Sequence, residues 1–320
     1  MFFRRLSFTI ALGIAFYIAL FTVHKLLPYI RVGSEIVTNE KLRFIKTESI
    51  FPPNAKRRLV IFGDSRALSG FIPALFDELS RDTIYSYNLA IPENQMLIPL
   101  MEIIINKGQI PTDIFITIPW EELPKKKNPL VFIDNDNEII KRLVPFKHLI
   151  RNLAIFGHRS RYRGGIRKLY DENEQSAKEL LENRGYYFIA GQSFYKNDEL
   201  PDDFSFTSDQ PDKLYHRPVP PKNELYKQFA QMLEAHSIRA YFVPMYNRTG
   251  AIKPNPEPNV ELIKAFENNS RIQVLGPDYF SFPNKLFSDP VHLNGNGAKV
   301  YTTKLWELYS KHLQNSISAH

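Results

Sequence analysis

Arg58-Leu59-Val60-Ile61-Phe62-Gly63-Asp64-Ser65 is the stretch on which the fold turns. A run of apolar, β-forming residues closed by a Gly-Asp turn reads as a strand buried on both faces, with Ser65 at its exit. Working outward, residues 72–79 carry helical spacing at Ile72, Leu75, Phe76 and Leu79, and residues 83–91 read as the next strand. An apolar helix follows over 96–106, stopped by Lys107-Gly108, then a buried strand over 113–118 ended by Pro119. After a long interruption the alternation resumes: helix 224–236, strand 238–244, helix 260–267, a final short strand 272–275 and a C-terminal helix 297–313. Strands alternating with helices predict an α/β fold, a three-layer sandwich whose mostly parallel sheet is covered on both faces. In such sheets the functional site lies at the carboxyl ends of the strands, where Ser65 is placed.

Before this domain, Arg4-Arg5 precedes eighteen uncharged residues, Leu6 to Val23. As a helix the run spans roughly 27 Å, close to the hydrocarbon thickness of a bilayer. Residues 1–30 are expected to form an uncleaved transmembrane signal anchor, with membrane lipid as its partner; a cleaved signal peptide is the second reading. The flanking charges do not favour a cytoplasmic N-terminus, but long domains translocate largely regardless of charge. The expected location is a bacterial cytoplasmic (inner) membrane, single-pass, with the domain extracytoplasmic. Residues 31–57 read as a tether, 58–313 as the α/β domain and 314–320 as a tail.

The interruption, about 121–221, reads as a partly helical, basic insertion. Between Lys141 and Lys168 there are nine Lys or Arg and no Asp or Glu, against a formal charge of +7 for the whole chain. The rest of the chain is therefore slightly acidic, and the basic character is local. Such a run fits a solvated face, anionic headgroups or an anionic polymer; nucleic acid is not expected as a partner of an exported domain. Arg161 and Arg163 within it, and Trp120 ahead of it, are candidate substrate-contacting or surface residues. The chain has no cysteine, which excludes thiol catalysis, disulfides and thiolate metal sites. His148, His158, His216 and His236 show no metal-ligand spacing, and no metal or other cofactor is expected.

Near the chain end stands Asp289-Pro290-Val291-His292, followed by Leu293-Asn294-Gly295-Asn296-Gly297. Ser, Asp and His in this order supply the parts of a nucleophilic triad. The bland readings are a helix cap at Asp64 or Ser65 and a local turn at Asp289–His292. Gly63-Asp64-Ser65 after the first strand and Asp289-x-x-His292 before the last helix together resemble the SGNH, or GDSL-type, hydrolase superfamily, over residues 58–313. The resemblance implies a flavodoxin-like sandwich, Ser65 as nucleophile, His292 as general base and Asp289 as its orienting carboxylate. It implies an oxyanion hole built first on the backbone N–H of Ser65.

The middle blocks depart from the family. Its second block resembles Asn88-Leu89-Ala90-Ile91-Pro92-Glu93, which makes Asn88 and Glu93 the tentative oxyanion positions, Glu93 standing where a glycine is usual. Its third block normally brings an asparagine; here the place holds Pro119-Trp120-Glu121-Glu122. A missing oxyanion donor costs roughly 3–4 kcal/mol in the barrier. A membrane-anchored divergent member resembles the proteins of alginate O-acetylation and lipoteichoic acid D-alanylation. That implies a serine O-acyltransferase or esterase acting on acyl esters of an envelope glycan or polysaccharide, beside a membrane-bound O-acyltransferase partner. The alternative is a catalytically inactive scaffold or binding protein of an envelope-modification complex.

Overall fold

The computed structural model describes residues 2–31, 33–92, 97–117, 149–187, 195–206, 210–215 and 224–318. The chain divides into two units, Met1–Asn39 with Pro129–Lys178, and Glu40–Asn128 with Glu179–His320. The described strands are β1 (Arg58–Phe62), β2 (Tyr85–Asn88), β3 (Asp113–Ile116), β4 (Gln210–Tyr215), β5 (Arg239–Phe242), β6 (Met245–Arg248), β7 (Ile252–Pro254), β8 (Ile272–Val274) and β9 (Tyr279–Phe282). The helices are α1 (Phe2–Leu26), α2 (Gly33–Thr47), α3 (Ser65–Gly70), α4 (Pro73–Leu79), α5 (Leu97–Asn106), α6 (Leu149–Ser160), α7 (Ile166–Glu182), α8 (Glu224–Ala235), α9 (Val260–Phe266) and α10 (Gly295–Ser318).

The second unit is the α/β sandwich. Its sheet has five parallel strands in the order β2-β1-β3-β5-β8. Strand side chains alternate between faces. Leu59, Ile61, Phe115 and Tyr241 point to one side and are buried with Phe71, Phe76, Leu305 and Tyr309 of the α3–α4 region and α10. Val60, Phe62, Ile114, Ile116 and Phe242 are buried on the other, where Phe266 of α9 stacks on Phe242 at 4.8 Å. Burial on both faces explains why β1 reads as an unbroken apolar run. From β1 the chain goes to β2 on one flank and then to β3 on the other. The reversal at β1 is a topological switch point, where an α/β sheet opens a crevice at its carboxyl end.

Three expectations are corrected. The segment 31–57 is no plain tether, because it contains the fifteen-residue helix α2. Val37, Lys41 and Ile45, four residues apart, form a stripe along it, and all three are buried. Strand 272–275 is not the last: β9 follows and pairs in parallel with β6 beyond the ends of β5 and β8. Pro277 and Pro283 bracket β9 and disguise it as loop. The insertion 121–221 is also narrower than expected, since the described residues within 179–221 belong to the α/β unit. There Asn88 N–H donates to Arg184 O at 2.9 Å, which covers the free edge of β2. Residues 121–148 lie outside the described residues.

The first unit holds a smaller core of Ile30, Leu149, Phe156 and Leu169, with Leu20, Val23 and Tyr170 packed against it. Its long helix α1 contains a 24-residue apolar span, Phe3–Leu26, long enough to cross a membrane; a signal sequence has the same character. A one-turn 3₁₀ helix, Pro28–Ile30, follows.

Candidate active site

The turn after β1 is closed by steric necessity. A Cβ at Gly63 would collide with Thr117 Oγ1 and Ala67 Cβ, so only glycine lets the chain pass there. Asp64 then caps α3, its Oδ1 accepting from Arg66 N–H at 2.8 Å and its Oδ2 from Arg66 Nε at 2.9 Å. The cap belongs to Asp64, which leaves the Ser65 hydroxyl free to turn away from the helix. Ser65 stands in the first turn, where backbone N–H groups have no intrahelical partner. Tyr246 of β6 supports the helix from below, donating its hydroxyl to Arg66 O at 2.9 Å.

His292 sits in a tight loop. Phe287 and Leu293 pair as an antiparallel bridge, and Ser288 N–H donates to His292 O at 2.9 Å. Asp289 Oδ1 accepts from the N–H groups of Val291 and His292, both at 2.8 Å. Arg248, itself buried, donates from Nε to Pro290 O at 3.1 Å and stacks 5.0 Å over Phe204. Asn294 closes the loop onto α10 by accepting from Gly297 N–H at 2.9 Å and donating to Lys285 O at 2.8 Å. A side chain at Gly297 would strike Leu286 O.

These two constructions, 227 positions apart in sequence, meet: His292 Nε2 lies 2.8 Å from Ser65 Oγ. On the far side of the ring, His292 Nδ1 lies 2.8 Å from Asp289 Oδ2. Burial alone would raise the Asp289 carboxyl. The hydrogen bond and charge of His292, with the two backbone N–H groups, outweigh it and hold the group below its usual range. An ionised Asp289 keeps the proton on Nδ1, so Nε2 presents a lone pair to the serine hydroxyl. The site is reachable: the side chains of His292 and Asp289 are 24% and 38% exposed. Thr302 of α10 stitches the two halves together. Its hydroxyl lies 3.2 Å from Gly70 O and accepts from Ile72 N–H at 3.0 Å.

Asn88 is not available as an oxyanion donor. Its amide is buried and spent, donating to Ala67 O at 2.9 Å and Phe71 O at 3.0 Å while its Oδ1 accepts from Ala90 N–H at 3.0 Å. It is a strut between β2 and α3. Glu93 and Trp120 lie outside the described residues. Arg161 and Arg163 belong to the first unit, in the turn after α6.

Three positions escaped the sequence reading: Arg248, Tyr246 and Lys41. Lys41 of α2 is fully buried and donates from Nζ to Asn88 O at 2.8 Å and Ala90 O at 2.5 Å. Burial pushes its amine well below the ordinary lysine value. Two backbone carbonyls receive its N–H donors here. The legible signal was a lysine inside an apolar stripe. Arg248 and Tyr246 had none, because β6 follows Pro244 where a strand was expected to stop.

A cavity of about 360 Å³ is bounded by Tyr195, Leu200, Pro201 and Lys285, and neither Ser65 nor His292 lines it. Among the described residues no group of three or more His, Asp or Glu could hold a metal ion. No protein-family model, curated protein or solved structure matches this chain.

Proposed function

We propose that this protein is a serine acyl-transfer enzyme of the SGNH, or GDSL, type, an O-acyltransferase or esterase acting on acyl esters of an envelope glycan. One observation carries the reading: the unbroken relay Ser65–His292–Asp289, with 2.8 Å at each link. His292 Nε2 takes the Ser65 proton as Oγ attacks the acyl carbonyl. The oxyanion is held by the Ser65 backbone N–H at the mouth of α3. His292 then returns the proton to the leaving alcohol, giving an acyl-Ser65 ester. A sugar hydroxyl or water, deprotonated by the same ring, takes the acyl group and restores the serine.

In this proposal α1 is an uncleaved anchor in a bacterial cytoplasmic membrane, with the α/β unit on the outer side. Leu20 and Val23 of α1 pack into the core of the first unit, and cleavage would remove them. An anchored acyl-transfer domain of this kind suits a partner that delivers acyl groups through the bilayer, the role of a membrane-bound O-acyltransferase.

The test is fluorophosphonate labelling of the full chain in detergent. The wild type takes one label, Ser65→Ala takes none, and His292→Ala takes it far more slowly. A folded wild type that stays unlabelled, with no change in His292→Ala, would overturn the enzyme in favour of a non-catalytic scaffold.

A further inference from the structure

The first unit carries a surface that the acyl-transfer chemistry does not use. Helix α6 buries Leu149, Asn152, Phe156 and Ser160 along one face. Ile150 and Leu153 of the same helix stay 64% and 40% exposed, and just beyond its end Tyr162 and Ile166 are 79% and 67% exposed. Large apolar side chains at this exposure in one short stretch are unusual for a water-facing surface.

The same stretch is basic. From Leu149 to Lys168 there are six Lys or Arg, among them Arg159, Arg161 and Arg163, and no Asp or Glu. The basic character stops at Asp171, where α7 becomes acidic with Glu172 and Glu174. Apolar residues flanked by Arg159, Arg161 and Arg163 match the boundary of an anionic bilayer, where acyl chains meet phosphate headgroups.

The packing puts the patch beside the end of the anchor. Phe156 and Leu149 share a core with Leu20 and Val23 of the last turns of α1, and with Ile30 just after it. Asn173 Nδ2 donates to Tyr29 O at 2.7 Å and Tyr170 packs edge-on against Tyr29 at 5.5 Å, which fixes α7 to the same turn. Glu35 accepts from Asn152 at 2.7 Å, tying α6 to the chain that leaves α1. Helix α6 is therefore held where the apolar span of α1 ends.

We propose that α6 and the α6–α7 turn form a lipid-binding surface that lies in the headgroup region of an anionic membrane leaflet, with Ile150, Leu153, Tyr162 and Ile166 inserted and the arginines on the phosphates. The proposal rests on α1 being a membrane anchor. The surface would set the tilt and height of the first unit on the bilayer, a task a single helix does not perform alone.

The absence of cysteine allows a clean test on the full chain. Single cysteines at Leu153, Ile166, Ile14 and Lys178 are labelled with an environment-sensitive fluorophore. The protein is reconstituted into vesicles of phosphatidylcholine with or without phosphatidylglycerol, carrying headgroup-level or deep nitroxide lipids. Labels at Leu153 and Ile166 are expected to be quenched by the headgroup-level nitroxide in anionic vesicles, and to lose that quenching in R159E/R161E/R163E. The Lys178 label stays unquenched, and the Ile14 label is quenched by the deep nitroxide throughout. Unquenched labels at Leu153 and Ile166 beside a quenched Ile14 would overturn the surface and leave the anchor standing. An unquenched Ile14 would overturn the anchor itself, and the surface with it. Quenching that ignores lipid charge and the arginine reversals would overturn headgroup recognition.

Discussion

Two carboxylates at opposite ends of one sheet show how differently the same group can be used. At the amino ends of the strands, Asp113 is sealed from solvent and surrounded by Arg57 Nε at 3.0 Å, Arg239 Nη2 at 3.0 Å and Thr112 Oγ1 at 2.6 Å. Every partner is a donor already committed, and Arg57 is also stacked 5.2 Å from the Tyr309 ring. At the carboxyl ends, Asp289 engages one histidine, and the relay it starts ends on a solvent-reachable serine hydroxyl. The first arrangement is closed and holds three strands together. The second points outward to an atom that can form a bond with something not yet there. The two ends differ in whether the chain of hydrogen bonds is closed or left open.

The contrast can be broken by substitution. Ser65→Ala or His292→Ala should lower acyl transfer by about 10⁶-fold, since members of a relay fail as a unit; steady-state hydrolysis of an acetyl ester measures it. Asp289→Asn should cost less, about 10⁴-fold, because the ring loses its preferred tautomer while the nucleophile and base remain. An equal loss in Asp289→Asn and Ser65→Ala would mean that Asp289 does more than orient the ring. Asp113→Ala should leave labelling per folded molecule unchanged and cost about 3 kcal/mol in unfolding by urea, the low end for a broken buried ion pair, since both arginines are partly exposed. Loss of labelling in a folded Asp113→Ala would erase the distinction between the two ends.

Lys41 supplies the smallest and most specific effect. Its folded value lies well below 10.5, so in the window between the two values the unfolded chain binds the extra proton. Stability must then rise with pH in that window, by at most about 1.4 kcal/mol per pH unit. The difference between wild type and Lys41→Met, from urea unfolding at a series of pH values, isolates that slope. A difference that does not change with pH would show that the lysine titrates alike in both states.

The sheet was legible because strands buried on both faces leave unbroken apolar runs, as at Leu59–Phe62 and Ile114–Ile116. The contacts among Ser65, His292 and Asp289 were legible because the three sit in two short turns of recognisable residue pattern. What stayed hidden was support reached through long-range contact. Asn88 reads as an oxyanion residue by alignment, yet its amide is consumed by the carbonyls of α3, a fact of packing that spacing cannot reveal. Arg248 grips Pro290 from 42 positions away, and nothing local marks it. Helix α2 was missed because the partners that bury Lys41, the carbonyls of Asn88 and Ala90, lie nearly fifty positions further along the chain.

Asn294 immediately precedes α10 and Thr302 lies two turns into it, and through them the serine turn and the histidine loop are fastened to a single helix. During synthesis Ser65 is made 227 residues ahead of its base. The contact between them therefore waits until the chain has been made as far as His292. A chain cut before Ser288 keeps Ser65 but lacks the histidine that it bonds. Assembly order thus decides when the serine meets its histidine.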